Sequence, residues 1–128
     1  MDEETKRCQN LVKALIIRCI KDTVIPIGSH DSYLDCKKAF DFLFNQKTRE
    51  FKGFCLWCEL ADFDQKYWQK MALMNLAYEL NLNPWLRNRI MDLLHGTQNW
   101  RDLKNYYDCC QNQDLQKTIE EFKNDNND

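Results

Sequence analysis

FCLWCELADFDQKYWQKM, residues 54–71, holds two cysteines in CxxC spacing, two tryptophans and a polar break at Asp62-Phe63-Asp64. Three readings compete for it: a metal or redox knuckle, a helix-turn-helix, and plain core packing. Its apolar residues recur at helical spacing on both sides of the break. The spacing predicts a short helix from about Phe54 to Ala61, closed by Asp62. Asp64 then caps a second helix that carries Trp68, Met71, Ala72, Leu76 and Leu80 inward.

Cysteines three apart on a helix share one face, where they act as small hydrophobes. A structural zinc site needs four soft donors converging as a tetrahedron. Beyond Cys55 and Cys58, the donors that could complete a site are Cys36, Cys109, Cys110, His30 and His95, and they form no second CxxC knuckle. Cys109 and Cys110 are adjacent, so on a helix they diverge. A thioredoxin-type pair follows a strand at a helix start, and no strand is predicted before Cys55. Packing is therefore the expected role of Cys55 and Cys58, with no metal and no cofactor.

A helix-turn-helix needs a small inward residue in its first helix, a turn residue that tolerates positive φ, an apolar residue, a cap, and an apolar lock in the second helix. Cys58, Asp62, Phe63, Asp64 and Trp68 meet these needs in order. Glycine is the usual turn residue, but aspartate enters that conformation more readily than most. The exposed start of the second helix would present Gln65, Lys66, Tyr67, Gln69 and Lys70, residue types suited to base edges and phosphates. Lys47, Arg49 and Lys52 lie just before, where they would clamp a phosphate backbone, and Arg87 and Arg89 would add to the charge. Glu59 and Asp64 put negative charge near the same surface.

Outward from this stretch the chain reads as helical throughout. Gly 3 and Pro 2 among 128 residues leave too few turn formers for an all-β fold. A first helix is expected over about 3–24, with Cys8, Leu11, Val12, Leu15, Ile16 and Cys19 inward and Ile25-Pro26-Ile27-Gly28 ending it. Ser32, with Asp35 three residues on, reads as the cap of a second helix carrying Leu34, Ala39, Phe40, Leu43 and Phe44; Asn45 to Lys52 reads as a polar connector. Asn83-Pro84 opens a further helix with Trp85, Leu86, Ile90, Leu93 and Leu94 inward and Gly96 after its end. Asn99 with Asp102 caps one that holds Trp100, Leu103, Tyr106, Tyr107 and Cys110; Leu115, Ile119 and Phe122 mark the last. The expectation is an all-α bundle of about six helices, a single domain over 1–123 with a polar, frayed tail at 124–128.

The segment from about Tyr33 to Met71 resembles a pattern in small phage and bacterial proteins with helix-turn-helix-like regions. The carrying residues are Ala39-Phe40, Phe54, Cys58, Ala61 (where the pattern usually has Leu), Asp64 and Trp68. The resemblance covers about a third of the chain and implies a small phage- or mobile-element-type regulator. It transfers no catalytic residue.

Function follows by elimination. No Gly-rich phosphate loop, H-E-x-x-H or G-x-S-x-G occurs. His30, read in a loop, and His95, read at a helix C-terminus, are far apart in sequence, so the chain is expected not to be an enzyme. No apolar run is long enough to span a bilayer. Seven cysteines without an export signal point to reduced thiols in a cytosol, the host's if the protein is phage-encoded. Two expectations remain. One is a regulator that binds duplex DNA through the eight residues named between Lys47 and Lys70. The other is a helical module that binds a larger host protein, with Tyr67, Trp85, Tyr106 or Tyr107 as anchors; it is favoured by a net charge of −2. A homodimer is compatible with both.

Overall fold

The computed structural model describes residues 2–26, 28–95, 97–108 and 113–125, with side chains from residue 116 onward in the last stretch. Among the described residues there are seven α-helices, one 3-10 turn and no strand. They are α1 (Glu3–Asp22), α2 (His30–Phe44), α3 (Arg49–Ala61), α4 (Gln65–Leu82), the 3-10 turn Pro84–Leu86, α5 (Arg87–Leu94), α6 (Asn99–Asp108) and α7 (Gln113–Asp125). The chain forms two compact units, residues 1–69 and 70–128, with the boundary inside α4.

In the first unit, α1 starts where the Asp2 carboxylate accepts the Thr5 N–H at 2.7 Å. That bond holds the Asp2 carboxyl below its ordinary pKa. The inward line of α1 is narrower than expected: Val12, Ile16 and Ile20 are buried, Cys8 and Cys19 half-buried, and Leu11 and Leu15 exposed. A helix packed on one side buries a limited stripe, and Leu11 and Leu15 lie beyond its edge. The helix ends at Asp22, ahead of Pro26. Buried Thr23 closes it, its hydroxyl donating to the Ile20 carbonyl at 2.6 Å.

The cap of α2 is Ser29, not Ser32. Its hydroxyl accepts the Ser32 N–H at 3.2 Å, which makes His30 the first helical residue rather than a loop residue. Cys36, Ala39, Phe40, Leu43 and Phe44 are buried. Thr48 caps α3 by accepting the Phe51 N–H at 3.2 Å, so α3 begins at Arg49 instead of near Phe54. The expected connector is therefore shorter, and Arg49 and Lys52 stand on a helix. Phe51, Phe54, Cys58 and Ala61 face the core. Phe54 packs its ring 5.1 Å from Phe42 and 6.0 Å from Phe51. The Gln9 amide donates to the Ala61 carbonyl at 2.8 Å, tying the start of α1 to the end of α3.

That end is a Schellman turn. Asp62 sits at φ 56°, ψ 43°, in the left-handed region. Its N–H reaches the Glu59 carbonyl at 3.2 Å, and the Phe63 N–H reaches the Cys58 carbonyl at 2.8 Å. Asp64 then opens α4, its carboxylate accepting the Lys66 N–H at 3.0 Å. Phe63 lies 5.6 Å from the Trp68 ring, and Trp68 is buried.

In the second unit, every residue of the run Met71–Ala77 of α4 is buried, Asn75 being its one polar member; Leu80 is half-buried. Asn83 stands at the cap position with Pro84 first in the element that follows, as the sequence suggests, but its side chain makes no cap bond. Its amide donates to the Glu79 carboxylate at 3.4 Å, and Pro84 begins a 3-10 turn from which α5 continues. Leu86, Ile90 and Leu94 are buried, whereas Trp85, expected inward, is exposed with the Arg89 guanidinium 5.4 Å above its ring. Asn99 is buried inside the first turn of α6 rather than capping it. α7 buries Ile119 and Phe122, pairs Lys123 with Glu79 and takes in Asn124 and Asp125, the first two residues of the expected tail. Gly96, Cys109, Cys110, the Leu115 side chain and residues 126–128 lie outside the described residues.

Asp62→Gly should raise stability by about 0.5–1 kcal/mol, because glycine enters the left-handed region without a Cβ penalty. Asp62→Val should lower it by about 1–2 kcal/mol. Urea unfolding of the two variants measures the difference.

Candidate functional site: an apolar and basic face on the first unit

The structure places the eight DNA candidates unevenly. Lys47, Arg49, Lys52, Lys66, Tyr67 and Lys70 are exposed, and Gln65 is half-buried. Gln69 is not available to a partner: its amide donates to the Leu43 carbonyl at 2.9 Å and fastens the start of α4 to the end of α2. Tyr67 stands edge-on to Trp68, ring centres 5.3 Å apart, and is spent in part on packing. Arg49 and Lys52 lie one turn apart on α3, and Lys66 and Lys70 one turn apart on α4. Arg87 is exposed, and half-buried Arg89 leans on Trp85. Exposed Glu50, Glu59, Asp62 and Asp64 sit among these cations. The stretch 47–70 thus holds five cations against four carboxylates, a weak field for a polyanion.

A different feature is stronger. On α3 the core takes Phe51, Phe54, Cys58 and Ala61, which turns Leu56 and Leu60 to the opposite side and leaves Trp57, one turn before Ala61, exposed at the edge between them. Leu56 is 55% exposed, Trp57 43% and Leu60 59%. On α1, Leu11 is 73% exposed and Leu15 lies one turn beyond it. The two rows approach each other where the Cys8 thiol meets the Leu60 carbonyl at 3.9 Å, one turn before Leu11. Single exposed leucines are ordinary on a surface, but five large apolar side chains on neighbouring helices are not.

Cations border both rows. Arg49 and Lys52 precede Leu56 on the outer side of α3, and neither pairs with a described carboxylate. Arg7 and Arg18 bracket Leu11 and Leu15 on α1, in long contacts with exposed Glu3 at 4.0 Å and half-buried Asp22 at 3.9 Å. Sequence periodicity could have found the α3 row: once the inward set is fixed, Leu56 and Leu60 are left on the far face and Trp57 at its edge. The α1 row was hidden because Leu11 and Leu15 fit the same spacing as the true core residues.

Cys58 is buried, and burial pushes its thiol pKa up to about 11, with Cys55 and Asp64 adding to the effect. Burial likewise takes the Cys19 thiol to about 11, with Asp22 adding. Among the described residues no three His, Cys, Asp or Glu side chains converge as a metal site, and no helix is long and apolar enough to cross a membrane. No family model matches the chain, and no curated protein or solved structure matches it either.

Iodoacetamide at neutral pH should modify half-exposed Cys8 and Cys55 while leaving Cys36 and Cys58 intact until the protein is denatured. Peptide-resolved mass spectrometry reads the order, and early labelling of Cys58 would contradict its burial.

Proposed function

We propose that the first unit is a protein-docking module whose α1/α3 face receives an amphipathic helix with acidic flanks. The observation that carries this is the exposure of Leu11, Leu56, Trp57 and Leu60 beside cations that lack strong partners. Covering each of the three leucines would return about 1 kcal/mol, because roughly half of each side chain is still in water. Trp57 supplies the large rigid anchor that interface centres favour. The cations select the partner: carboxylates along the rim of a docking helix would meet Arg7, Arg18, Arg49 and Lys52. Helix-in-groove recognition uses apolar anchors at i, i+3, i+4 and i+7, the spacing that two helical rows can accept. The module is non-enzymatic, and the host setting follows from the phage-type resemblance of residues 33–71.

The test is a synthetic helical peptide with Leu and Phe at that spacing and Glu elsewhere, titrated by fluorescence anisotropy. Micromolar binding is expected, at least tenfold weaker when Lys replaces the Glu residues. Leu56→Glu with Leu60→Glu should abolish binding without lowering the melting temperature, since both side chains already face water. Equal binding of the acidic and basic peptides overturns the partner chemistry. Concentration-dependent dimerisation that the same two substitutions abolish would instead assign the face to a second copy.

A second reading is supported by the turn at Asp62. Its left-handed geometry, the Phe63–Trp68 contact and exposed Lys66, Tyr67 and Lys70 suit a helix-turn-helix that lays the start of α4 on duplex DNA. Binding to random duplex should then weaken steeply with salt and vanish in Lys66→Glu/Lys70→Glu. No binding at low salt would end it.

A further inference from the structure

The second unit contains a cleft of about 360 Å³ lined by Leu80 of α4, Arg87, Ile90 and Met91 of α5, and Trp100, Leu103, Lys104, Tyr107 and Asp108 of α6. Its floor is apolar: Ile90 and Leu103 are buried, and Leu80, Met91 and Trp100 are half-buried. Trp100 is steadied from outside by His95, ring centres 6.2 Å apart. Exposed Arg87 and Lys104 contribute to the lining, one from each of the two facing helices, and neither pairs with a described carboxylate. Among the described residues Asp108 is the one carboxylate in the lining, so their side chains there sum to +1. An apolar cleft of this size with a few charged groups is the usual form of a small-ligand site.

We infer that this cleft binds a small amphipathic carboxylate, with its apolar body against Ile90, Met91, Trp100 and Leu103 and its anion at Arg87 and Lys104. Size sets the body. A cavity of ~150 Å³ accommodates a benzene ring, so this cleft has room for about twelve carbons. Charge sets the head group. A cation would gain only Asp108 and would face two positive side chains, whereas a neutral head would leave both cations unused. A carboxylate satisfies the Arg87 guanidinium in its preferred planar geometry and accepts from the Lys104 ammonium. The inference is independent of the docking face, which belongs to the other unit.

Isothermal titration of the full chain tests it with four probes below their aggregation limits: decanoate, 2-naphthoate, decanol and decyltrimethylammonium. One-site binding of a carboxylate is expected, at least tenfold tighter than decanol or the quaternary amine. Preference for decanoate would mark an aliphatic ligand and preference for naphthoate an aromatic one. Arg87→Gln with Lys104→Gln should weaken carboxylate binding at least tenfold; both side chains are exposed, so the fold should persist. Met91→Trp should block binding by filling the cleft. The inference is overturned if no probe saturates, if decanol binds as well as decanoate, or if the double glutamine variant binds unchanged.

Discussion

Asp62 fixes the first unit by ending α3 in the left-handed region. Two bonds depend on that conformation, from the Asp62 N–H to Glu59 and from the Phe63 N–H to Cys58. They satisfy carbonyls that the end of α3 would otherwise leave open. They also reverse the chain so that Phe63 meets Trp68 and Gln69 reaches the Leu43 carbonyl. Aspartate has a second virtue here over bulkier residues, since its short polar side chain tolerates positive φ. The inward face of α3 is set by the same turn, because Cys58 is both an acceptor in the motif and a core side chain.

The outward face follows as a consequence. A helix of 13 residues that points Phe51, Phe54, Cys58 and Ala61 inward cannot also bury Leu56, Trp57 and Leu60 against the same neighbours. Only a second layer or a partner can cover them. Charged residues at those positions would have given a soluble surface at no cost to the core, and the docking proposal rests on their absence there. The first unit thus has its turn chemistry and its core in agreement, while among the described residues the apolar rows of α1 and α3 conflict with their exposure.

Much of the fold was legible in the sequence because helix periodicity and low Gly and Pro content act on every element. The Asp62 turn could be read because few residues tolerate that conformation and an apolar residue, a cap and an aromatic lock follow in order. Cap choice was less legible. Ser29 and Ser32 are both competent caps, and their hydroxyls lie 3.1 Å apart in the structure. Asn83-Pro84 does mark a helical start, but proline fixes φ equally well for a 3-10 turn, and the first turn before α5 is of that kind. The α1 stripe failed because Cys8, Leu11, Leu15 and Cys19 obey the same period as Val12, Ile16 and Ile20. Period alone cannot say which of two adjacent apolar stripes meets the core; the positions of α2 and α3, both packed on α1, decide it. The cleft was not legible at all, since its lining comes from three helices whose mutual packing no local pattern encodes.

Electrostatics separates the possible partners more sharply than shape does. With a net charge of −2 the chain has no long-range attraction for a polyanion, and the local balance of 47–70 adds little. Duplex DNA would have to be held by a few phosphate contacts, whose strength collapses as salt displaces them. An apolar face with a cationic rim behaves differently. Its affinity rests on area removed from water, which salt does not screen, while the rim governs the rate and choice of partner. The same division holds in the cleft, where the apolar floor would hold the ligand and two cations would choose its head group. Arg49 and Lys52 in the first unit, and Arg87 and Lys104 in the second, border apolar surface, and in the two proposals that arrangement would favour partners that are acidic and greasy together over partners that are acidic alone.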